Sequence, residues 1–423
     1  MYKNDYNIPD FMNSADFWMN DISDSKEIML SVDEINEFNN KLKPIVNSLY
    51  SIDKETATIA SKILIGYIQS YELPLSDMYD SNGELLHQDY YEKIIHNTNL
   101  DAIKDYTTIK YGISVRKTSV RSFPVENSIF SSIEQSKTNN FDRFQETGLF
   151  PCEPVLILHE SSDKKWYFVK LYNYFGWVKT DDIAIAENKE QIFDYTNCKD
   201  FLLVTVKEAT LIINENDSSP ITITCGMGTK LSLMENHMVK FPTRSSNGKL
   251  VFKSAVISNN EDIIKGYLPY TRYNIINQAL RFIDTPYDWG DKFSGKDCSS
   301  FILTIYKCFG FLLPRNANQQ ESSFLSSVNS LVFTKEDTLE NRNVKMDKLN
   351  PGDALFMKGH VMMYLGKYKF IHYMIHSFAG YGVKKEAVYE SRKAMLVAIT
   401  PVDLPKADGV PFILKFTSSV HYQ

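Results

Sequence analysis

From residue 111 to residue 257 the chain is a succession of short β-type segments, none of which can bury both of its faces alone, and this constrains the fold more than any other feature. YGISV, PVLILHE, KWYFVKLYNY, GWVKT and DIAIA come first; FLLVTV, ATLIIN, PITITC, TKLSL, MVKFP and KLVFKSAVI follow. Segments of this length separated by turn residues close into small antiparallel barrels. Two are expected, over residues 110–188 and 189–268, with a short linker near 188–200. No motif recurs at a fixed period, which excludes a solenoid. Trp166 and Trp177 are expected in the core of the first barrel. Residues 121–147 make a polar stretch too long for a plain connection in a compact domain. Its charged end, Asp142, Arg143 and Glu146, has the chemistry to hold a substrate amine or carboxylate, or simply to solvate a loop.

The flanks read differently. Residues 1–109 are mainly helical: Ser31 and Glu34 form a capping-box pattern ahead of Ile35, Phe38 and Leu42, and Pro44 ends that helix. A second helix is expected within residues 89–104. His87 and His96 lack companions at ligand spacing. After the barrels, Thr271 caps a helix that turns Ile275, Ile276, Ala279, Leu280 and Ile283 to one side. From Asp297 onward Phe301, Ile302, Ile305, Tyr306 and Phe309 repeat at helical spacing, and Gly310 stops the run. Residues 317–347 are polar and poorly periodic, and strands follow after residue 350. Helices first and antiparallel strands after give residues 269–423 an α+β order.

The second of these helices carries the chemistry. With Asp297 as N-cap, Cys298 falls in the first turn, where free backbone N–H groups and the helix dipole favour a thiolate and could stabilise an oxyanion. A thiolate needs a base on rigid structure. His360 opens the strand GHVMMYLG, and the return segment IHYMIHSF carries His372 and His376 on one face. Either could orient the His360 imidazole. They lie roughly 13 Å apart along a strand, at about 3.3 Å per residue, so only one can reach it. Periodicity does not say which, since both share the strand face. A closed zinc site needs a fourth ligand, and the only obvious one is Cys298 itself, so no metal is expected.

YDWG (residues 287–290), DCSSF (297–301), LPRN (313–316), PGD (351–353), GHVMMYLG (359–366) and IHS (375–377) resemble the NlpC-type, papain-like peptidases of bacterial cell walls. The preceding strands are similar to the two bacterial SH3-like domains that accompany this peptidase in one subgroup. The resemblance implies an α+β multidomain chain of two SH3-like barrels followed by a papain-like catalytic domain, with a stabilising N-terminal segment. It implies a γ-D-glutamyl-L-diamino acid endopeptidase acting on peptidoglycan stem peptides or muropeptides, with no cofactor. Cys298 would be the nucleophile, His360 the base and His376 the third catalytic residue. Tyr287 would lie beside the nucleophile, Asp297 and Ser299 would contact the stem peptide, Trp289 would shape the pocket wall, and the first barrel, with Glu146, would meet the free amine of L-Ala. Asn316 and Ala317 stand where some relatives carry an acid and a serine that hold that amine. A papain-like amidase or acyltransferase on another substrate, and a non-catalytic wall-binding protein, are the competing readings; the intact Cys and His oppose the second.

Composition narrows the partners. A net charge of −6 without a basic run argues against nucleic acid. Five cysteines, an odd number, do not make a disulfide framework. No segment approaches the ~18 apolar residues of a membrane span. A monomer is expected. The opening MYKNDYNIPDFMN has no signal-type apolar stretch, which leaves localisation open between the envelope, if a leader was removed, and cytoplasmic recycling.

Overall fold

The computed structural model describes residues 8–213, 220–235, 238–258, 263–323, 330–386 and 388–422. Residues 1–7, on which part of the reading of the opening segment rests, lie outside them. Two compact units are present. One comprises Met1–Leu49, Tyr267–Tyr287 and Ser294–Gln423; the other comprises Tyr50–Gly266 and Asp288–Phe293.

In the first unit three helices matter: α1 (Val32–Leu42), α2 (Arg272–Leu280) and α3 (Cys298–Lys307). Ser31 caps α1 through a full capping box with Glu34. Thr271 caps α2, its hydroxyl accepting the Asn274 N–H at 3.1 Å. A six-stranded antiparallel sheet is built from β1 (Ser330–Val332), β2 (Ala354–Met357), β3 (His360–Tyr368), β4 (Ile371–Lys385), β5 (Val388–Pro401) and β6 (Phe416–Val420), in the order β1-β6-β2-β3-β4-β5. Helix α3 lies on β3 and β4. Phe301, Ile302, Ile305 and Tyr306 are at most 1% exposed, so its predicted apolar stripe is its buried face. Each such side chain contributes about 1.5–3 kcal/mol by leaving water.

The N-terminal residues of this unit hold α3 from its far end. Asn39 of α1, itself buried, donates its amide to Gly310 O at 2.8 Å and accepts the Leu312 N–H at 2.9 Å. That fixes the turn after α3. The expected N-terminal segment, residues 1–109, is thus divided near Tyr50. Beyond that point Ile52, Leu64 and Ile68 enter a core with Trp166, Phe168 and Trp177 instead, because the apolar face of each half finds a different sheet to cover.

That second unit holds two seven-stranded antiparallel sheets, one from strands between Lys110 and Ile185 and one from strands between Phe201 and Lys265. The stretch expected to link them contains a helix, Lys189–Thr196, capped by Asn188. Its Ile192 and Tyr195 are buried in a core to which both sheets contribute. The long polar stretch is also more ordered than expected. A helix, Ile133–Thr138, and a strand, Gln145–Leu149, lie in it, and Phe123, Ile129 and Phe144 form a core with Met78 and Ile94.

Candidate active site

The geometry begins at the N-terminus of α3. Asp297 is its cap, and its Oδ1 accepts the Ser300 N–H at 2.9 Å. Arg315 of the LPRN segment grips the same carboxylate with both guanidinium ends, at 3.2 Å to Oδ1 and 2.5 Å to Oδ2, and donates to the Ser299 hydroxyl at 2.9 Å. All three residues are buried. The cap is therefore part of a two-pronged ion pair inside the protein, which locks the first turn and the cysteine in it.

Cys298 is partly exposed, and its thiol receives the N–H groups of Val361 and Ser299. The first of these places the sulfur at the head of β3, beside His360. The surroundings of the sulfur oppose the thiolate expected from the helix start. The dry surroundings push the thiol up to about 12, and the Asp297 carboxylate adds to this, while Val361, Arg315 and Ser299 oppose it. The capping carboxylate offsets the positive end of the helix that was to stabilise the thiolate.

The base has the matching shift. Burial, reinforced by the Lys406 ammonium, lowers His360 to about 3. Desolvation thus disfavours either charge alone. A proton passing from one to the other creates both charges together, next to each other, where their attraction offsets the lost hydration.

The hairpin decides which histidine meets His360. Strands β3 and β4 are joined by a two-residue turn, Lys369 and Phe370, both at positive φ (48° and 69°). A bulge between Tyr364 and Gly366 shifts the register beyond that turn. His360 and Tyr364 then share a face of β3, and each meets the histidine diagonal to it on β4. The Nε2 of His360 lies 2.8 Å from the Nδ1 of His376, and Tyr364 OH lies 2.8 Å from the Nδ1 of His372. His376 is fully buried, stacked on Phe378 with ring centroids 4.2 Å apart and planes 8° apart, and its Nε2 lies 3.0 Å from Thr400 Oγ1 on β5. Burial and the neighbouring His360 and Lys406 keep it neutral. His372 serves another cluster, its Nε2 being 3.4 Å from Asp347.

Tyr287 lies beside the segment that leads into Cys298. It bridges to Lys296, and its N–H donates to Met395 O on β5 at 2.9 Å. Ser377 fastens the same segment by donating to Lys296 O at 2.6 Å. Trp289 and Glu146 belong to the other unit. There Trp289 Nε1 donates to Gln145 O at 3.2 Å, and Gln145 donates its amide to Gly290 O at 2.8 Å. Gly290 sits at φ 62°, and a Cβ on it would come within 2.8 Å of the Gln145 side chain, so a larger residue would break this contact. Glu146 accepts the Tyr174 hydroxyl at 2.5 Å.

Asp142 is not an exposed loop charge. It is 1% exposed and accepts from Arg121 at 2.9 Å, Lys292 at 3.1 Å and the N–H groups of Ile129 and Phe144. Burial alone would raise its carboxyl; the two cations prevail and hold it below the usual range. A polar stretch read in sequence gives no sign of this, because Arg121 stands at its other end and Lys292 far along the chain. Thr400 and Arg315 were missed as site neighbours for the same reason. Arg315 could have been found from its place in LPRN; Thr400 has no sequence signal.

Comparison with known proteins bears on the domains and the fold. Residues 284–394 match the NlpC/P60 family, and residues 129–179 match an SH3 domain of the SH3b1 type. A gamma-D-glutamyl-L-lysine dipeptidyl-peptidase of Bacillus cereus is 28% identical over 211 residues, 47% of this chain and 56% of that protein. Dipeptidyl-peptidase 6 of Lysinibacillus sphaericus is 31% identical over 102 residues, 24% of this chain and 32% of that one. The chain thus spans about half, or less, of the length of these curated relatives. Among solved structures, an NlpC/P60 endopeptidase from Photobacterium damselae subsp. piscicida superposes with a TM-score of 0.76 over 97% of each chain at 19% identity. An NlpC/P60 family protein from Bacillus cereus gives 0.52, over 74% of this chain and 99% of that one, at 20% identity. These two likenesses concern the fold.

Proposed function

We propose that this chain, which carries an NlpC/P60-family domain with an SH3-type domain ahead of it, is a cysteine peptidase of peptidoglycan that cuts stem peptides between D-glutamate and the following diamino acid. The observation that carries the reading is the contact of His360 with His376 at 2.8 Å, behind a helix-borne thiol held by the N–H of Val361. A neutral imidazole pair on the strand that also binds the thiol is what acyl transfer requires and what a purely wall-binding domain does not.

In the proposed reaction Cys298 gives its proton to His360 as its sulfur attacks the carbonyl of the γ-glutamyl amide. His376 holds the imidazole and accepts its other N–H. Backbone N–H groups at the start of α3 face the developing oxyanion. When the tetrahedral adduct collapses, His360 returns the proton to the departing amine, leaving an acyl-enzyme. Water, deprotonated by His360, then releases the glutamyl product and the thiol.

Tyr287, held on β5 beside the Lys296–Asp297 segment, is proposed to approach the oxyanion side. Asp297 and Ser299 are proposed to present the helix start to the stem peptide, with Arg315 fixing their side chains. For Trp289 and Glu146 the resemblance supports a substrate-binding role, Glu146 toward a free L-Ala amine. The gamma-D-glutamyl-L-lysine dipeptidyl-peptidase of Bacillus cereus supports a peptidoglycan-derived substrate in general.

Purified muropeptides and free stem peptides, incubated with the protein and with Cys298→Ala, test the reading by mass spectrometry. Cleavage after D-glutamate, absent in the variant, is expected. Cleavage at another amide would identify an amidase of different specificity; binding without any product would leave a wall-binding module.

A further inference from the structure

His360 can act as a base only if its proton sits on the correct nitrogen. Its Nε2 is committed to His376, so the nitrogen left for the thiol is Nδ1, and this must carry a lone pair in the resting enzyme. The Nε2 of His360 therefore bears the hydrogen and must find an acceptor in the Nδ1 of His376. Were His376 protonated there instead, two N–H groups would face each other across 2.8 Å once His360 took the thiol proton. The second ring must hence be the Nε2–H tautomer. Among the described residues, the group bonded to that nitrogen is the hydroxyl of Thr400, at 3.0 Å.

We propose that Thr400 is a positioning residue that sets the tautomers of the histidine pair: its hydroxyl accepts the Nε2–H of His376, which leaves His376 Nδ1 to accept from His360 and His360 Nδ1 to take the thiol proton. The inference rests on the reading of Cys298 and His360 as the reacting pair. Thr400 is 0% exposed, as is His376, so no bulk water can replace the hydroxyl. Ring packing does a different job. Phe378 stacked on His376, and Phe412 edge-on to it at 5.4 Å, fix the plane of the ring and are blind to where its proton sits. Without the hydroxyl, an Nε2–H would be a buried donor with no acceptor, which is unfavourable. The proton would move to Nδ1 and donate to His360, whose own hydrogen would then occupy the nitrogen needed for the thiol.

The test is Thr400→Val, which keeps the β-branched shape and removes only the hydroxyl, against Thr400→Ser, which restores it. The full chain is used, with melting temperature as the folding control and Thr400→Ala in reserve should the valine variant not fold. Selective ¹⁵N-histidine labelling reads the tautomers directly. His376 is expected as Nε2–H in the native protein and the serine variant, and as Nδ1–H in the valine variant. Alkylation of Cys298 by iodoacetamide should slow about 10- to 100-fold in Thr400→Val, a part of the effect that a wrong histidine tautomer has in related catalytic sites. Turnover should fall with it at little change in KM, and Thr400→Ser should recover most of both. An unchanged His376 tautomer together with native alkylation rates in the valine variant would overturn the proposal. The tautomer and alkylation readouts need no substrate, so the failure of muropeptides to be cut would refute the proposed substrate without touching this inference.

Discussion

His372 and His376 are a matched pair for asking what orients the base. Both are at most 1% exposed, and each has one ring nitrogen 2.8 Å from a partner on β3. Truncating either to alanine removes a buried ring and its contacts at both nitrogens, to His360 and Thr400 in one case and to Tyr364 and Asp347 in the other, so the stability costs should be similar, about 3 kcal/mol each, in line with other large-to-small core changes. Their effects on turnover should not be similar. In His376→Ala the imidazole of His360 loses its only histidine neighbour and the acceptor for its Nε2–H, and kcat should fall by ~10²-fold or more. In His372→Ala the lost contact belongs to Tyr364, and kcat should stay within about threefold of the native value at a temperature where both variants are folded. His376→Asn, whose amide oxygen can accept from His360, should recover part of the loss, since Asn fills that role in other papain-like proteases. Steady-state kinetics on a stem peptide, with melting curves in parallel, provide the comparison. Equal losses in the two alanine variants, or a larger loss at His372, would refute the argument.

Other outcomes follow from the same coordinates. Asp142→Ala should destabilise the barrel unit by about 3–5 kcal/mol, because it leaves the buried Arg121, and the half-buried Lys292, without their carboxylate, whereas Glu146→Ala should cost little stability and raise KM; urea unfolding and kinetics of the two variants separate these effects, and a stable Asp142→Ala would contradict the buried Arg121–Asp142 pair. Burial, aided by Lys367 and opposed by Asp347, lowers His372 to about 4, below its unfolded value, so between these limits the unfolded chain binds more protons. Its contribution is therefore complete above about pH 6.5 and is lost as the pH falls toward 4, up to about 3 kcal/mol, with His360 and His376 acting in the same direction. Melting temperatures should drop over that window, and a flat profile would count against neutral buried histidines. Cys298 should be alkylated by iodoacetamide through proton transfer to His360, so His360→Ala should slow its labelling by ~10-fold or more, as expected when a thiol loses its base; equal rates would mean that the thiol ionises unaided.

The local pattern was enough to locate the parts. Apolar spacing marks α3 with Asp297 at its start; Ser31 and Thr271 stand where capping chemistry puts them, and Asn188, at the edge of the expected linker, caps a helix as well. The order of helices and strands indicated the α+β class, and even spacing placed His372 and His376 on one strand face. These are properties of neighbours in sequence, governed by helical and strand periodicity and by the bonding needs of helix ends. What only tertiary structure decided are pairings across the chain. Parity could not choose between the histidines, because the choice depends on a two-residue turn and a bulge at Gly366 that set how far β4 slides along β3. Nor could it show that Asp297 is gripped by Arg315, that Asp142 is buried between Arg121 and Lys292, or that Thr400 backs His376. The ionisation of Cys298 is the sharpest instance. A helix N-terminus favours a thiolate, but the sign of the net shift was set by the water-poor surroundings and by the capping carboxylate, and both exist only once the chain has closed around the site.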